Sequence, residues 1–485
     1  MSHPVSNIAN MFELVGFPDL IDVMGEAARA ESAAIARRLA AVGELYARRS
    51  VQWAERELWC ADPFDAVAAE VSAAQNISRG RAGTQIRYGR ELRERLPLVA
   101  GGFATGGIDF RMVATIIART SNVTDEAIAG VDAALAAQAP RWLKLSVPKL
   151  SDRIDWWIAK FDADGVRVPS DVEKGRYVEV GPTVPGMGGI WANIHATDAA
   201  AFDQRLDALA ATVCAEDPRT KAQRRADAVG ALAAGALRLM CQCGAGQCPS
   251  VGVPAPASVV VHVLAEQTTI DGTSAAPGFL PKFGVQPAES VRALLAAGRI
   301  APLIIPGDCA QAGYRPSAAL AEFVGWRDLT CRWPGCDVAA AGCDVDHTVP
   351  FPFGVTHASN LKAYCRKHHL IKTFYTGVSG WSDRQSPDGT VIFTSPTGHV
   401  YTTKPGGALL FPALSMPTGN LQPADAAPRF GRGLAMPTRR HTREQERQAR
   451  IRQERRQRAN LNTESRRQRH PWLTATCSGD DPPPF

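Results

Sequence analysis

The chain has 485 residues, 45% hydrophobic and 21% charged, which suits about three ordinary soluble domains and excludes a disordered chain. The formal charge is +6, but residues 438–470 alone hold 12 Arg against 4 Glu, so the rest is slightly acidic and a uniformly basic body is excluded. No apolar run approaches the roughly 18–20 residues of a membrane span, and no Lys or Arg precedes Arg29 to form a basic leader. A cytoplasmic protein with no membrane partner is therefore expected.

Residues 25–165 read as helical after a 1–24 extension. Apolar residues recur at three-to-four spacing in 31–49 and 124–138, with a helix start at Thr124, and Pro97, Pro140 and Pro148 punctuate the segment. Residues 65–95 could form a helix-turn-helix whose Arg79, Arg81, Arg87, Arg90, Arg93 and Arg95 face a phosphate backbone, or an ordinary hairpin with solvated arginines. The 166–313 stretch is mixed. Two Gly- and Pro-bounded strands fall in 176–197, and helices near 198–214 and 219–240 follow. SVVVHVLAE (258–266) reads as a buried strand, and 288–297 as a helix. A compact module spans 314–403. A Pro- and Gly-rich linker covers 404–437, and an Arg-rich tail, 438–485, is expected to be disordered.

The 11 cysteines are an odd number, which argues against a disulfide framework. Eight of the 21 Cys and His residues fall within 331–369, a local enrichment that signals a metal site. Pro334-Gly335 makes a tight turn between Cys331 and Cys336, and Cys365 and His368 share a helix face at i, i+3. Together Cys331, Cys336, Cys365 and His368 make a closed structural zinc set; Cys343 is either a substitute ligand or a core thiol. Cys241, Cys243 and Cys248 supply three further thiols, a set that Cys214, His262 or Cys309 could complete.

Asp346, His347, Asn360 and His369 remain. A carboxylate and an imidazole can bind a divalent cation and leave positions open for water and substrate. A neutral His can act as general base, and an Asn amide can hold it in place. In this order, and with the zinc set around them, these residues resemble the HNH nuclease motif, the ββα-metal finger in its zinc-stabilised form. The flanks 314–330 and 386–402 resemble the HNH module of the actinobacterial 13E12 repeat family. Residues 25–313, with SAAQNISRGRAGTQIRYGRELRERLP and MCQCGAGQCP, resemble the domain of unknown function family 222 that precedes it. The loop GVTHASN departs from the usual pattern at Val355 and His357.

The resemblance implies that His347 is the general base, with catalytic roles also for Asn360, which fixes it, and His369. Asp346 and His369 would hold Mg²⁺, Mn²⁺ or another divalent cation. It further implies an α+β chain: a mainly helical N-terminal region, a mixed α/β middle, a small zinc-stabilised ββα-metal domain and a disordered basic tail. The expected activity is metal-dependent hydrolysis of DNA phosphodiester bonds, with double-stranded DNA as partner. Lys372, Arg439, Arg440 and Arg443 are the candidate nucleic-acid contacts, although a lysine placed as Lys372 more often sits on a solvated face. The alternatives are a non-catalytic zinc-finger nucleic-acid-binding protein with a vestigial HNH domain, and a helical interaction protein.

Overall fold

The computed structural model describes residues 17–168, 175–246, 248, 261–295, 300–377, 380–419 and 435–469. The chain is mixed α+β and divides into two compact units, one formed by Met1–Pro169 with Ile304–Phe485 and the other by Ser170–Leu303. Among the described residues no helix is long and apolar enough to cross a membrane.

The first unit opens with α1 (Phe17–Gln52), α2 (Pro63–Gln75), α3 (Arg79–Glu94), α4 (Pro97–Ala104), α5 (Phe110–Thr120), α6 (Asp125–Gln138) and α7 (Val147–Phe161). The punctuation is where the sequence puts it. Asp62 caps α2 by accepting from the Asp65 N–H at 3.0 Å, and Pro63, Pro97 and Pro148 sit in first turns, where a missing N–H costs nothing. α6 starts directly after Thr124. Asn76, in the left-handed conformation at φ 49°, ends α2, and Ser78 starts α3. Helices α1 and α3 cross at Gly43 and Gly89, where a Cβ on Gly89 would lie 2.4 Å from the Leu39 carbonyl oxygen. One apolar core, including Leu96, Phe103, Met112, Ile116, Leu135 and Ile154, unites α4–α7 with parts of α1 and α3.

The second unit holds the antiparallel pair β1 (Tyr177–Pro182) and β2 (Gly188–Asn193), then α8 (Ala196–Ala210) and α9 (Lys221–Ala233). α9 carries a full Thr220–Gln223 capping box and is shorter than expected, because Gly235 at φ +70° turns the chain away. α10 (Gln267–Ile270), the hairpin β3 (Gly278–Leu280) and β4 (Gly284–Gln286), and α11 (Ala288–Leu295) complete it. The buried strand expected over 258–266 is corrected. Its first three residues lie outside the described ones, Val261 is exposed, and Leu264 makes only an isolated bridge to Phe279. Its apolar run meets a three-residue hairpin strand too short to extend a ladder.

The chain then returns to the first unit with α12 (Ala318–Asp328), β5 (Cys343–His347), β6 (Leu361–Cys365) and α13 (Arg366–Phe374). β5 and β6 form an antiparallel hairpin that leads directly into α13, with His347 opposite Leu361 and Cys343 opposite Cys365. A three-stranded meander, β7 (Ser382–Gln385), β8 (Val391–Thr394) and β9 (Val400–Thr403), follows. Buried Arg327 donates to the Ala358 and Leu361 carbonyls at 2.7 and 2.6 Å, and Asp328 accepts from the Ala363 N–H at 2.8 Å, so α12 fixes the entry of β6.

The module is not freestanding. Trp333, Tyr364, Ile371 and Phe393 share one core with Trp53, Val67 and Ala69 of the N-terminal helices. The small residues Ala66, Ala68, Ala69 and Ala73 let α2 lie close against it. Gly335, at φ +78°, brings its backbone against the Ser72 and Ile77 carbonyls, where a Cβ would stand 2.6 Å from each.

Two expectations for the C-terminal part change. The described portion of the 404–437 linker is packed: Phe411 and Leu414 are buried, and Gly407 lies against the Trp326 carbonyl of α12. The basic tail, expected to be disordered, contains α14 (Arg443–Arg469). One face of α14, at Arg443, Arg447, Arg455 and Asn462, is held by acidic residues of the N-terminal helices and the loop after α7. Arg443 pairs with Asp65 at 2.8 Å, Arg447 with Glu91 at 2.9 Å and Arg455 with Asp162 at 2.6 Å. Glu454 in turn receives Arg167 at 2.7 Å. Segment composition alone cannot reveal partner charges that lie 280 or more positions upstream. Residues 470–485 lie outside the described ones.

Candidate metal centre and hairpin site

Cys331 and Cys336 reach the site from the turn before β5, Cys365 ends β6 and His368 lies one turn into α13. Their ligand atoms all lie within 4.8 Å of one another and all four residues are buried, so the group could hold a metal ion. The His368 Nδ1 faces the thiols of Cys331 and Cys365 at 3.4 and 3.3 Å. Its Nε2 is buried with no hydrogen-bond partner among the described residues, and its ring stacks on Trp333 at 4.8 Å. The ring thus presents Nδ1 to the Cys331 and Cys365 sulfurs, the orientation a ligand would take. Burial pushes the Cys331 thiol well up, while hydrogen bonds with Cys331 and Cys336 pull Cys365 down. Binding a cation would displace the remaining thiol protons to solvent. Cys343 is not in the set; its thiol turns to the Ala339 carbonyl at 3.4 Å.

The second group lies on the β5–β6–α13 hairpin. Asp344 and Asp346, two apart on β5, both meet the ring of His369 from α13. Asp346 Oδ1 lies 3.3 Å from Nε2, and Asp344 Oδ2 lies 2.8 Å from Nδ1. The bond to Asp346, aided by Asp344 and opposed by burial, raises the His369 pKa. Asp346 is buried, which by itself would raise its carboxyl, but Lys372, Lys362 and His369 hold it well below the usual carboxylate range. Lys362 is fully buried between Asp383 at 2.7 Å and Asp346 at 3.4 Å, and Lys372 bonds to Asp346 and to the His347 carbonyl. An oxygen and a nitrogen 3.3 Å apart fit adjacent positions around a divalent cation with bonds of about 2.0–2.2 Å. The pair could supply two ligands and leave the rest of the shell to water and phosphate.

His347, the next residue on the strand, points to the opposite face. It stacks on Tyr314 at 5.3 Å, and its Nε2 lies 2.8 Å from the Thr356 hydroxyl. Burial lowers its pKa and the two lysines add to this, while Asp346 opposes it, so the ring is neutral at pH 7. Asn360, expected to fix His347, directs its side-chain hydrogen bonds to the loop backbone and not to the ring. Its oxygen accepts from the Val349 N–H at 2.8 Å, and its nitrogen donates to the Val349 and Val355 carbonyls at 3.0 and 2.9 Å. It therefore closes the loop between β5 and β6 and fixes His347 only through the backbone. His357 is a buried brace in the same loop, within 2.8 Å of the Gly307 carbonyl oxygen.

Of the cations expected to meet nucleic acid, Lys372 is turned inward, and Arg439 and Arg443 are already paired with Asp62. Arg440 is exposed, as are Arg450, Arg452, Arg456, Arg466 and Arg467 on the outer side of α14. In the 65–95 hairpin, Arg79, Arg90, Arg93 and Arg95 meet carboxylates, whereas Arg81 and Arg87 are exposed. Sequence reasoning missed Asp344, Thr356, Lys362 and Asp383. The alternation Asp344-Val-Asp346 offered a signal for the first, because residues two apart share a strand face. The others join the site only through the hairpin register and the neighbouring sheet.

A family model described as a domain of unknown function, DUF222, matches residues 26–328. The chain is similar to the uncharacterized protein Rv3776 of Mycobacterium tuberculosis, 43% identical over 96% of this chain and 94% of that protein. It is also similar to the uncharacterized protein Rv2100 of the same organism, 42% identical over 94% of this chain and 92% of that one. No solved structure matches. With more than half of its length matched by the family model and near full-length relatives above 40% identity, the chain belongs to the DUF222 domain family.

Proposed function

We propose that the protein is a metal-dependent endonuclease of the HNH type that hydrolyses phosphodiester bonds in double-stranded DNA. One observation carries the reading. A hairpin running straight into a helix sets Asp346 Oδ1 3.3 Å from His369 Nε2, with a neutral His347 next along the strand. Asp346 and His369 would hold a divalent cation, which supplies charge neutralisation at the scissile phosphate. His347, left neutral by its lowered pKa at the end of β5, would take the proton from the attacking water. Tyr314 and Thr356 orient its ring, and Asn360 keeps the intervening loop closed. Cys331, Cys336, Cys365 and His368 would bind structural zinc, with no open position for substrate. Exposed arginines of α14 would neutralise duplex phosphates without reading bases.

A second reading, a non-catalytic zinc-finger nucleic-acid-binding protein with a vestigial site, draws on a different observation. Two lysines already neutralise Asp346, and the His347 Nε2 is already bonded to Thr356. Supercoiled plasmid incubated with Mg²⁺ or Mn²⁺, against EDTA, separates the two. The nuclease reading expects cation-dependent nicking that falls about 10²–10⁴-fold in His347→Ala, with zinc content retained. Duplex binding without nicking under any cation, or equal nicking by the variant, rejects it.

A further inference from the structure

We propose that the second compact unit carries a structural zinc ion of its own, held by Cys214, Cys241, Cys243 and Cys248. The four sulfurs lie within 4.8 Å of one another, and Cys214 and Cys241 approach to 3.4 Å. A tetrahedral zinc with bonds of about 2.3 Å spaces its sulfurs roughly 3.7 Å apart, so the thiols stand close to the vertices such an ion requires. None of the four is in a disulfide, and the 3.4 Å approach of Cys214 and Cys241 is far from a disulfide bond of about 2.05 Å.

The chain delivers these ligands from two places. Three come from one short loop, Cys241-x-Cys243-x4-Cys248, which turns at Gly244 with φ +73°. The fourth comes from the connection between α8 and α9. Independent bonds hold the two segments in register beside the thiols. The buried Asp217 carboxylate accepts from the Gln242 N–H at 2.9 Å and from Arg219 at 2.7 Å. Arg219 donates onward to the Met240 carbonyl at 2.6 Å, and the Leu239 N–H donates to the Thr212 hydroxyl at 2.9 Å. The ligand backbone is thus set by a polar staple that does not depend on the sulfurs.

The unit has reason to use such a clip. Among the described residues the apolar cluster beneath α8 and α9 buries Leu206, Leu209 and Ala228, with Val229 and Leu232 packed against them, a small core to hold the loops by burial alone. Four thiolates and no imidazole make a closed shell, which fits a structural and not a catalytic ion. Each thiol that enters the shell protonated gives its proton to solvent on binding. Cys309, the exposed thiol raised as a possible ligand, is outside the set, and so is His262.

The test is zinc content by elemental analysis of the purified full-length chain, with zinc release followed by a chromogenic chelator. Two zinc ions per chain are expected in the wild type and in a Cys309→Ala control. One is expected in Cys241→Ala/Cys243→Ala, and one in Cys331→Ala/Cys336→Ala, each double variant losing a different ion. Zinc content unchanged in Cys241→Ala/Cys243→Ala overturns the proposal, whatever happens at the finger. Iron in place of zinc, or a Cys214–Cys241 disulfide found by mass spectrometry, overturns it too. If the double variant does not fold, Cys243→His keeps a ligand. That variant should retain two zinc ions, and its cobalt-substituted spectrum should shift from that of four sulfur ligands towards that of three sulfurs and one nitrogen. A cobalt spectrum identical to wild type overturns the proposal.

Discussion

Removing the metal from the 331–368 site should destabilise more than the finger. The perturbation is Cys365→Ser, or chelation of the full-length chain. Zinc in a small finger contributes about 10–16 kcal/mol of folding free energy, against about 5–15 kcal/mol of total stability for a typical domain, so the finger should open rather than loosen. Its opening removes the His368 ring from Trp333, which also contacts Trp381 at 4.6 Å and Phe393 at 5.5 Å. The same core holds Val67, Ala69 and Val71 of α2, and Gly335 presses on the Ser72 carbonyl. Hydrogen exchange read by mass spectrometry should therefore lose protection in 63–75 as well as in 361–374. Peptides of α5 and α7, whose Met112, Ile116 and Ile154 belong to a separate core, should keep theirs. Full protection of α2 beside an exchanged finger would refute the shared-core reasoning. Unchanged exchange everywhere would mean the thiols are ordinary core residues.

Three other outcomes follow from the helical region. Gly89→Ala places a Cβ 2.4 Å from the Leu39 carbonyl oxygen; forced apart, α1 and α3 should lose about 1–3 kcal/mol, and a melting temperature equal to wild type would contradict the close crossing. Docking of α14 should weaken in acid. Burial works against ionised Asp162, Glu444 and Glu454, but Arg455, Arg90 and Arg167 with their other hydrogen bonds hold all three pKa values below their ordinary ones. Stability linked to a depressed carboxyl is present above its unfolded pKa of about 4 and is lost as pH falls through the folded value. Exchange in 443–469, corrected for its intrinsic pH dependence, should stay flat from pH 7 to about 5 and rise below about 4; equal protection at pH 3 and pH 6 would remove the ion pairs as the cause. Deleting 438–485 should lower the melting temperature and flatten the salt dependence of duplex binding, because the face held by Asp62, Asp65 and Asp162 is lost together with exposed Arg450, Arg452 and Arg456. A truncated chain with unchanged melting and unchanged salt slope would show α14 to be dispensable for both.

The sequence by itself determined what depends on near neighbours. Proline punctuation, the helix start at Thr124 and the three-to-four apolar spacing marked the N-terminal helices, because those signals act within a few residues. The spacing of Cys331, Cys336, Cys365 and His368 marked a candidate metal site for the same reason: a tight turn and one helical turn bring each pair together locally. Asp346, His347 and His369 were legible as chemistry by residue type and order. Only the tertiary structure decided which neighbours those groups have. It set His347 on the face of β5 opposite Asp346, gave Asn360 to the loop backbone, and brought Lys362, Lys372 and Asp383 around one carboxylate. It brought Cys214, one of three candidates, beside Cys241, Cys243 and Cys248, and it turned a tail that looked disordered into a docked helix. In each case the deciding partner lies far along the chain, and the free energy of an ion pair or a ligand set depends on distance in space, which local sequence pattern does not encode.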